Sequence, residues 1–277
     1  MKNLVKITTG MLFCAFLLST NLFSQDESKD EFKSAVLSVT TIHWNLDKTD
    51  GSQEEWDAIE KEYFEKVTMK NDFILHTNFL THYFTADNSE AKAITVYASL
   101  EDIKKAGDRT AELVKEGWPV EAERDAFFKV RNSYFTGMHS DELYNTLPGG
   151  VFMEETPEEP MIYYVRKSHI SFPEDGSDDE IKALHTEYLE NVVYKNEYIK
   201  AYYPSRHYYG SDSRDYVEVF VINSLSDVEA SFDKTTELTN AHWPDEDARK
   251  EFFKKYDRYF TGWHADYIYQ NIPGYAK

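Results

Sequence analysis

The chain has 277 residues, 41% hydrophobic and 16% aromatic, enough for two domains with a substantial shared core, and this composition excludes an intrinsically disordered chain. Its formal net charge of -20, with 50 acidic against 30 basic residues, excludes nucleic acid and anionic membrane as natural partners. The single cysteine, Cys14, excludes an intrachain disulfide and any cysteine-built metal site.

Residues 1–24 begin MKNLVK, continue through an apolar run and end LLSTNLFS, the pattern of a secretory signal peptide with cleavage after Ser24 or, as the alternative, after Gln25. Cys14 invites a lipoprotein reading, but Phe13 stands where a small residue is expected and the apolar run continues past it. The protein is therefore expected to be exported, periplasmic or secreted, with no transmembrane segment in the mature chain. Residues 25–34 form a polar leader, and loss of Lys2 and Lys6 takes the mature charge to about -22.

The remainder is written twice. Trp118–Gly149, WPVEAERDAFFKVRNSYFTGMHSDELYNTLPG, returns 125 residues later as WPDEDARKEFFKKYDRYFTGWHADYIYQNIPG, and the same offset lays Val36–Gly149 on Met161–Gly274. A period of that length is domain-sized rather than solenoid-sized. Two repeats follow, 35–149 and 161–277, joined by the Gly- then Pro/Glu-rich linker 150–160.

Each repeat opens on a strand, AVLSVTTIHW or MIYYVRKSHI, with apolar side chains on both odd and even positions, so that both faces need cover. Ser52 with Glu55 and Ser177 with Glu180 read as capping boxes of a helix. Its apolar stripe is Trp56, Ile59, Tyr63, Phe64 and Val67, or Ile181, Leu184, Tyr188, Leu189 and Val192. Asn71 and Asn196 mark its stop, and the next stretch is open between a short helix and an irregular connection, with Pro204 against the helix. From His82 and His207 the chain reads as a hairpin with a polar loop.

Ser99 with Asp102, and Ser224 with Asp227, start a second helix, which Trp118-Pro119 and Trp243-Pro244 break before a third. The third carries Phe127, Phe128, Tyr134 and Phe135, or Phe252, Phe253, Tyr256, Tyr259 and Phe260, and Gly137 and Gly262 read as its left-handed caps. A short turn, HSDELYNTLP or HADYIYQNIP, closes each repeat.

The order β-α-β-β-α with an extra C-terminal helix resembles a ferredoxin-like unit. Two such α+β units in tandem resemble the dimeric α+β barrel superfamily with its dimer fused into one chain, the two sheets facing each other. The resemblance covers most of Val36–Gly274 and implies a ligand held between sheet and helices or inside the barrel. Superfamily members include cofactor-free monooxygenases, isomerases and haem-active proteins, but fold does not fix function.

Two kinds of histidine recur at the 125-residue offset: His82 with His207, each followed by Tyr83 or Tyr208, and His139 with His264, each in His-x-Asp with Asp141 or Asp266. Imidazole beside carboxylate suits a general base with an orienting acid or half of a metal site. The competing account places Asp141 and Asp266 in the first turn of a short helix, where the helix dipole favours them, and gives the histidines buried hydrogen-bonding roles. Arg124 and Arg249 read as intrahelical ion pairs, and Trp118 and Trp243 as plugs over the core. The acidic stretch GSDSRD, Gly210–Asp215, lacks the spacing of a calcium loop and reads as a hairpin turn.

No metal ligand set is expected, and neither a cofactor nor an oligomeric state is identified. Three readings remain: a binding module for a small, partly apolar or aromatic ligand at the duplicated His, Tyr and Asp positions; a cofactor-free monooxygenase, isomerase or haem-active enzyme using His82 or His207; and a cell-envelope interaction protein. Mass spectrometry of the exported protein is expected to find Gln25 at its N-terminus; retention of residues 1–24 is the opposite outcome.

Overall fold

The computed structural model describes residues 32–153 and 155–277; the expected signal segment, with Cys14, and most of the leader lie outside the described residues. The first repeat runs β1 (Val36–Trp44), α1 (Gln53–Lys66), β2 (His76–Phe84), β3 (Glu90–Tyr97), α2 (Leu100–Gly117), α3 (Glu121–Ser133) and β4 (Phe135–Thr146). The second runs β5 (Ile162–Ile170), α4 (Asp178–Tyr188), β6 (Ile199–Tyr209), β7 (Asp215–Ile222), α5 (Leu225–His242), α6 (Glu246–Asp257) and β8 (Phe260–Asn271). All neighbouring strands are antiparallel, in the closed order β1-β3-β2-β8-β5-β7-β6-β4.

Each half therefore contributes four strands, β4-β1-β3-β2 and β8-β5-β7-β6, and the halves join edge to edge. One seam pairs Leu80, Thr81 and His82 of β2 with Asn271, Gln270 and Tyr269 of β8. The other pairs Tyr144, Asn145 and Thr146 of β4 with His207, Arg206 and Ser205 of β6.

Several sequence expectations change here. The third helix is not C-terminal, because the chain returns from it as a twelve-residue strand, β4 or β8, where a short turn was expected. Phe135 and Phe260 begin those strands rather than ending a helical stripe. Gly137 is not at positive φ, and Gly262, at φ 81°, lies inside β8 rather than at a helix end. The stretches ahead of His82 and His207 are strand, and Pro204 is accommodated within β6, its carbonyl accepting from Leu147 N at 3.0 Å.

The offset itself is not uniform. The ladders place Val36 opposite Tyr97 and Ile162 opposite Ile222, so β5 corresponds to β1 at an offset of 126 while β3 and β7 correspond at 125. The connection from β5 to α4 is one residue shorter than that from β1 to α1, counting from Trp44 and Ile170 to Ser52 and Ser177. In strands a one-residue slip reverses every side chain, so this changes which residues of the halves are equivalent.

The cap hydroxyls behave as expected, Ser52 and Ser177 each accepting from the backbone N–H three residues on at 3.1 Å. The carboxylates of Glu55 and Glu180 instead accept from Tyr134 and Tyr259, tying each helix start to the residue before β4 or β8. Trp118 and Trp243 are buried against Phe127 and Phe252, with ring centroids 4.1 and 4.2 Å apart. Arg124 and Arg249 donate to the carbonyls of those tryptophans, not to acids within their helices.

Two layers of core result. Leu80, Tyr163, Ala201, Val221 and Tyr269 meet inside the barrel, drawn from both halves. Helix-side clusters lie on the outer face, one of them formed by Trp56, Phe79, Ala91 and Tyr134 of the first half with Tyr275 from the end of the second. Trp56, 1% exposed, meets Trp44, Phe79 and Tyr275 at centroid distances of 5.0 to 5.7 Å. Trp56→Ala is expected to cost about 3–5 kcal/mol. Urea unfolding should show it, with both halves lost in one transition because the seams couple them.

Candidate functional site

Strand alternation decides where the duplicated histidines point. Leu80 faces the barrel interior, and so does His82 two residues on, its Nδ1 2.8 Å from Thr85 Oγ1. His207 follows Ala201 and Tyr203 on the interior side of β6, opposite Tyr144 in the seam. Tyr83 is exposed and packs edge-on against Phe84, and Tyr208 lies 4.6 Å from Tyr209.

The other pair lies on the opposite, outer face. His139 Nε2 is 3.6 Å from Asp141 and His264 Nε2 is 3.3 Å from Asp266, all four side chains well exposed. Asp141 accepts from Thr40 at 2.6 Å and Asp266 from Tyr164 at 2.7 Å. Because these aspartates sit in strands, the helix-dipole account does not apply to them. His82 and His139, like His207 and His264, are separated by the sheet, so a single pocket holding both kinds is not formed.

A different group gathers on the outer face of the second half. The alternation of β7, DYVEVFVI, turns Tyr216, Glu218 and Phe220 outward, β6 adds Tyr202, α4 adds His185 and Tyr188, and α6 adds Tyr256. Tyr202 OH donates to Glu218 Oε1 at 2.6 Å. His185 lies between two phenols, its Nδ1 2.9 Å from Tyr256 OH and its Nε2 3.3 Å from Tyr216 OH.

Burial pushes the Glu218 carboxyl up, opposed by the Tyr202 hydrogen bond and the Arg166 charge. Burial pushes His185 down to about 4, so the imidazole is neutral near pH 7. The Tyr188 phenol, also through burial, is pushed up to about 12. A neutral imidazole flanked by phenols, beside a carboxyl that holds its proton more tightly than usual, can both donate and accept hydrogen bonds.

At the corresponding positions the first half is built otherwise. Tyr202, Tyr216, Glu218, His185 and Tyr256 become Thr77, Ala91, Ala93, Glu60 and Arg131. Glu60 and Arg131 close on each other through two hydrogen bonds of 2.7 Å, with the guanidinium 3.9 Å above the Tyr63 ring. Trp44, Trp56, Phe79 and Phe135 fill the space the small alanines leave. Looking for residues used twice misses the polar group, because its signal is divergence between the copies.

Two depressions of about 460 and 750 Å³ lie elsewhere. One runs along α4 past Asp179, Lys182 and Glu187, and the other lies between the linker residues Phe152 and Met153 and Lys200. Neither is lined by the duplicated histidines or the polar group. Among the described residues no helix is long and apolar enough to cross a membrane.

The strand order and the covering helices can be set against solved structures. A candidate monooxygenase from Fusobacterium nucleatum superposes with a TM-score of 0.53 at 13% identity, over 87% of this chain and 93% of that one. The fold is that of the dimeric α+β barrel, ferredoxin-like proteins. A candidate monooxygenase from Lactobacillus acidophilus gives 0.49 at 7% identity, covering 88% and 95%. Chlorite dismutase from Candidatus Nitrospira defluvii, in complex with imidazole, gives 0.49 at 14%, covering 87% and 92%. The sequence matches no family model and no curated protein.

A histidine serving as the axial ligand of a haem needs one ring nitrogen free of other partners. On the helix side of the second half, His185 has both nitrogens engaged, His242 faces Glu187 at 3.1 Å and His264 is exposed beside Asp266. These residues do not fit an axial ligand.

His185 also sets a pH dependence. The unfolded chain takes up the imidazole proton near pH 6.5 and the folded chain only near 4, so stability is whole above about 6.5 and falls between those values, by at most about 3 kcal/mol. Urea midpoints measured from pH 7 to 4 should fall more steeply for the natural protein than for His185→Phe.

Proposed function

We propose that the protein is an exported, fused-dimer α+β barrel that binds a small, partly aromatic molecule between the second-half sheet and helices α4 and α6. The molecule would carry a hydroxyl or carbonyl able to exchange hydrogen bonds with Tyr202, Glu218, Tyr216 and His185. One observation carries the reading: the second half buries a hydrogen-bonded Tyr–Glu and Tyr–His–Tyr set where the first half has Ala91, Ala93 and a closed Glu60–Arg131 pair. Buried polar groups stabilise a fold less than the apolar packing they replace, and the first half demonstrates that the fold does without them.

The surroundings suit a flat ring. Tyr164 stacks on Phe220 at 5.8 Å and meets Phe232 edge-on at 5.4 Å, beside Asp266 at the near end of the His264 pair. The group is buried and opens on neither of those two depressions, and in this reading α4 or α6 moves away from the sheet to admit the molecule.

A second reading, a cofactor-free oxygenase or isomerase, draws support from Glu218. A carboxyl whose pKa is raised by burial suits proton transfer to or from a phenolic or carbon acid. The envelope-interaction reading draws none. The most exposed large apolar side chains, Leu46, Phe84, Met138 and Phe152, come from a turn, two strands and the linker, and those on helices, such as Leu100, Val130 and Phe232, are spread over α2, α3 and α5.

Thermal-shift screening of the mature protein against phenols, hydroxyquinones and aromatic ketones tests the proposal. A ligand that stabilises the natural protein should lose about tenfold or more in affinity in Glu218→Gln and in Tyr202→Phe. It should bind unchanged in His82→Ala and His207→Ala. The reverse pattern, or no stabilising ligand in the panel, counts against this site.

A further inference from the structure

The ladder offset of 126 makes His43 and His169 equivalent, although no count from the helix caps pairs them. Each stands near the end of its strand and meets an aspartate from the following hairpin loop: His43 Nδ1 is 3.2 Å from Asp87 Oδ2, and His169 Nε2 is 3.4 Å from Asp212 Oδ2. Asp87 and Asp212 correspond at the 125-residue offset. The pair is thus present in both halves.

The third member differs. In the first half Ser89 Oγ lies 3.2 Å from His43 Nδ1, and Glu90 is taken up by Lys92 at 3.3 Å and the Tyr269 hydroxyl at 3.0 Å. In the second half the residue matching Glu90 is Asp215, 1% exposed, with Oδ1 3.5 Å from His169 Nε2. Its Oδ1 accepts no hydrogen bond. Lys167 Nζ forms an ion pair with Oδ2 at 2.6 Å, and Oδ1 is left facing the imidazole.

We propose that His169, Asp212 and Asp215 bind a divalent transition-metal ion of the zinc class. Ligating atoms of the three lie within 4.8 Å of one another. Donors on a tetrahedral ion with bonds of about 2.0–2.1 Å are about 3.3 Å apart, close to the 3.4 and 3.5 Å from His169 Nε2 to the two carboxylates. One imidazole with two carboxylates suits zinc, cobalt or manganese and falls short of the all-oxygen shell of calcium.

Supporting contacts are in place. Arg214 grips Asp212 through Nε at 2.9 Å and Nη2 at 2.6 Å, and Trp263 stacks on the His169 ring at 3.8 Å, fixing its plane. Lys167 is the competitor for Asp215. It can turn to Glu142, already 3.8 Å away, when an ion takes the carboxylate. The two cations make the site weaker than a structural zinc site and leave a fourth position open. The inference does not depend on the ligand site under α4 and α6.

The test is titration of the chelator-stripped mature protein with Co²⁺, then Zn²⁺. Co²⁺ is expected to give visible d–d bands and to quench tryptophan fluorescence, and Zn²⁺ to displace it. His169→Ala and Asp215→Asn should each weaken Co²⁺ binding about tenfold or more, while His43→Ala leaves it unchanged. Trp263→Phe should keep the bands and lose most of the quench. Asp215→Asn removes a buried charge at nearly constant shape, so it decides the matter if His169→Ala does not fold. No spectral change at millimolar Co²⁺, or binding unaltered in Asp215→Asn, overturns the proposal.

Discussion

Every part of this molecule depends on the pairing of four strand edges. A four-stranded ferredoxin-like half leaves its outer strands, β2 and β4 or β6 and β8, with unpaired backbone groups that would template association. Pairing β2 with β8 and β4 with β6 satisfies all four at once and closes the sheet. Closure also answers the two-sided strands. Helices cover the outer face of each half, and the inner faces cover each other through Leu80, Tyr163, Ala201, Val221 and Tyr269.

That division leaves the two outer faces free to differ. A change of volume in the barrel interior is felt by both halves, because its core draws on both. A change under the helices of one half is felt mostly within that half, Tyr275 against Trp56 being a contact that crosses over. The first half has spent this freedom on tryptophan and phenylalanine around Ala91, with a half-buried ion pair closed as Glu60–Arg131. The second half accepts the lower stability of buried phenols, an imidazole and a carboxyl held together by hydrogen bonds.

Most of the element order was legible in the sequence, since helix caps, apolar stripes and Trp-Pro breaks are local signals. Strands β4 and β8 were not. Residues 139–146, HSDELYNT, and their counterparts 264–271 mix charged, small and apolar side chains because the outer face is partly exposed and the inner face carries polar groups such as Glu142. A glycine two residues in, at 137 or 262, then suggests a helix stop where there is only the start of a strand. Of the residues singled out by recurrence, His264 and Asp266 border the polar group through Tyr164, while His82 and His207 fall at equivalent seam positions and are accounted for by the symmetry of closure.

The unequal connection after β1 and β5 explains why the 125-residue offset does not pair His43 with His169. An alignment counts covalent bonds along the chain, and from the capping serines it sets His43 against Ser168. A β-ladder counts hydrogen bonds between strands, and it sets His43 opposite Glu90 and His169 opposite Asp215. The histidine and loop aspartate shared by both halves are sufficiently explained by the fold, since each pair ties a strand end to its neighbouring hairpin. In the first half the third carboxylate, Glu90, is also explained, spent on a lysine and a tyrosine. Asp215 is likewise ion-paired with a lysine, Lys167, through Oδ2, but it is buried and its Oδ1 is left facing the His169 ring with no hydrogen bond. The fold needs the pair in both halves, but it needs that unsatisfied oxygen in neither, and a cation is the simplest group that would complete it.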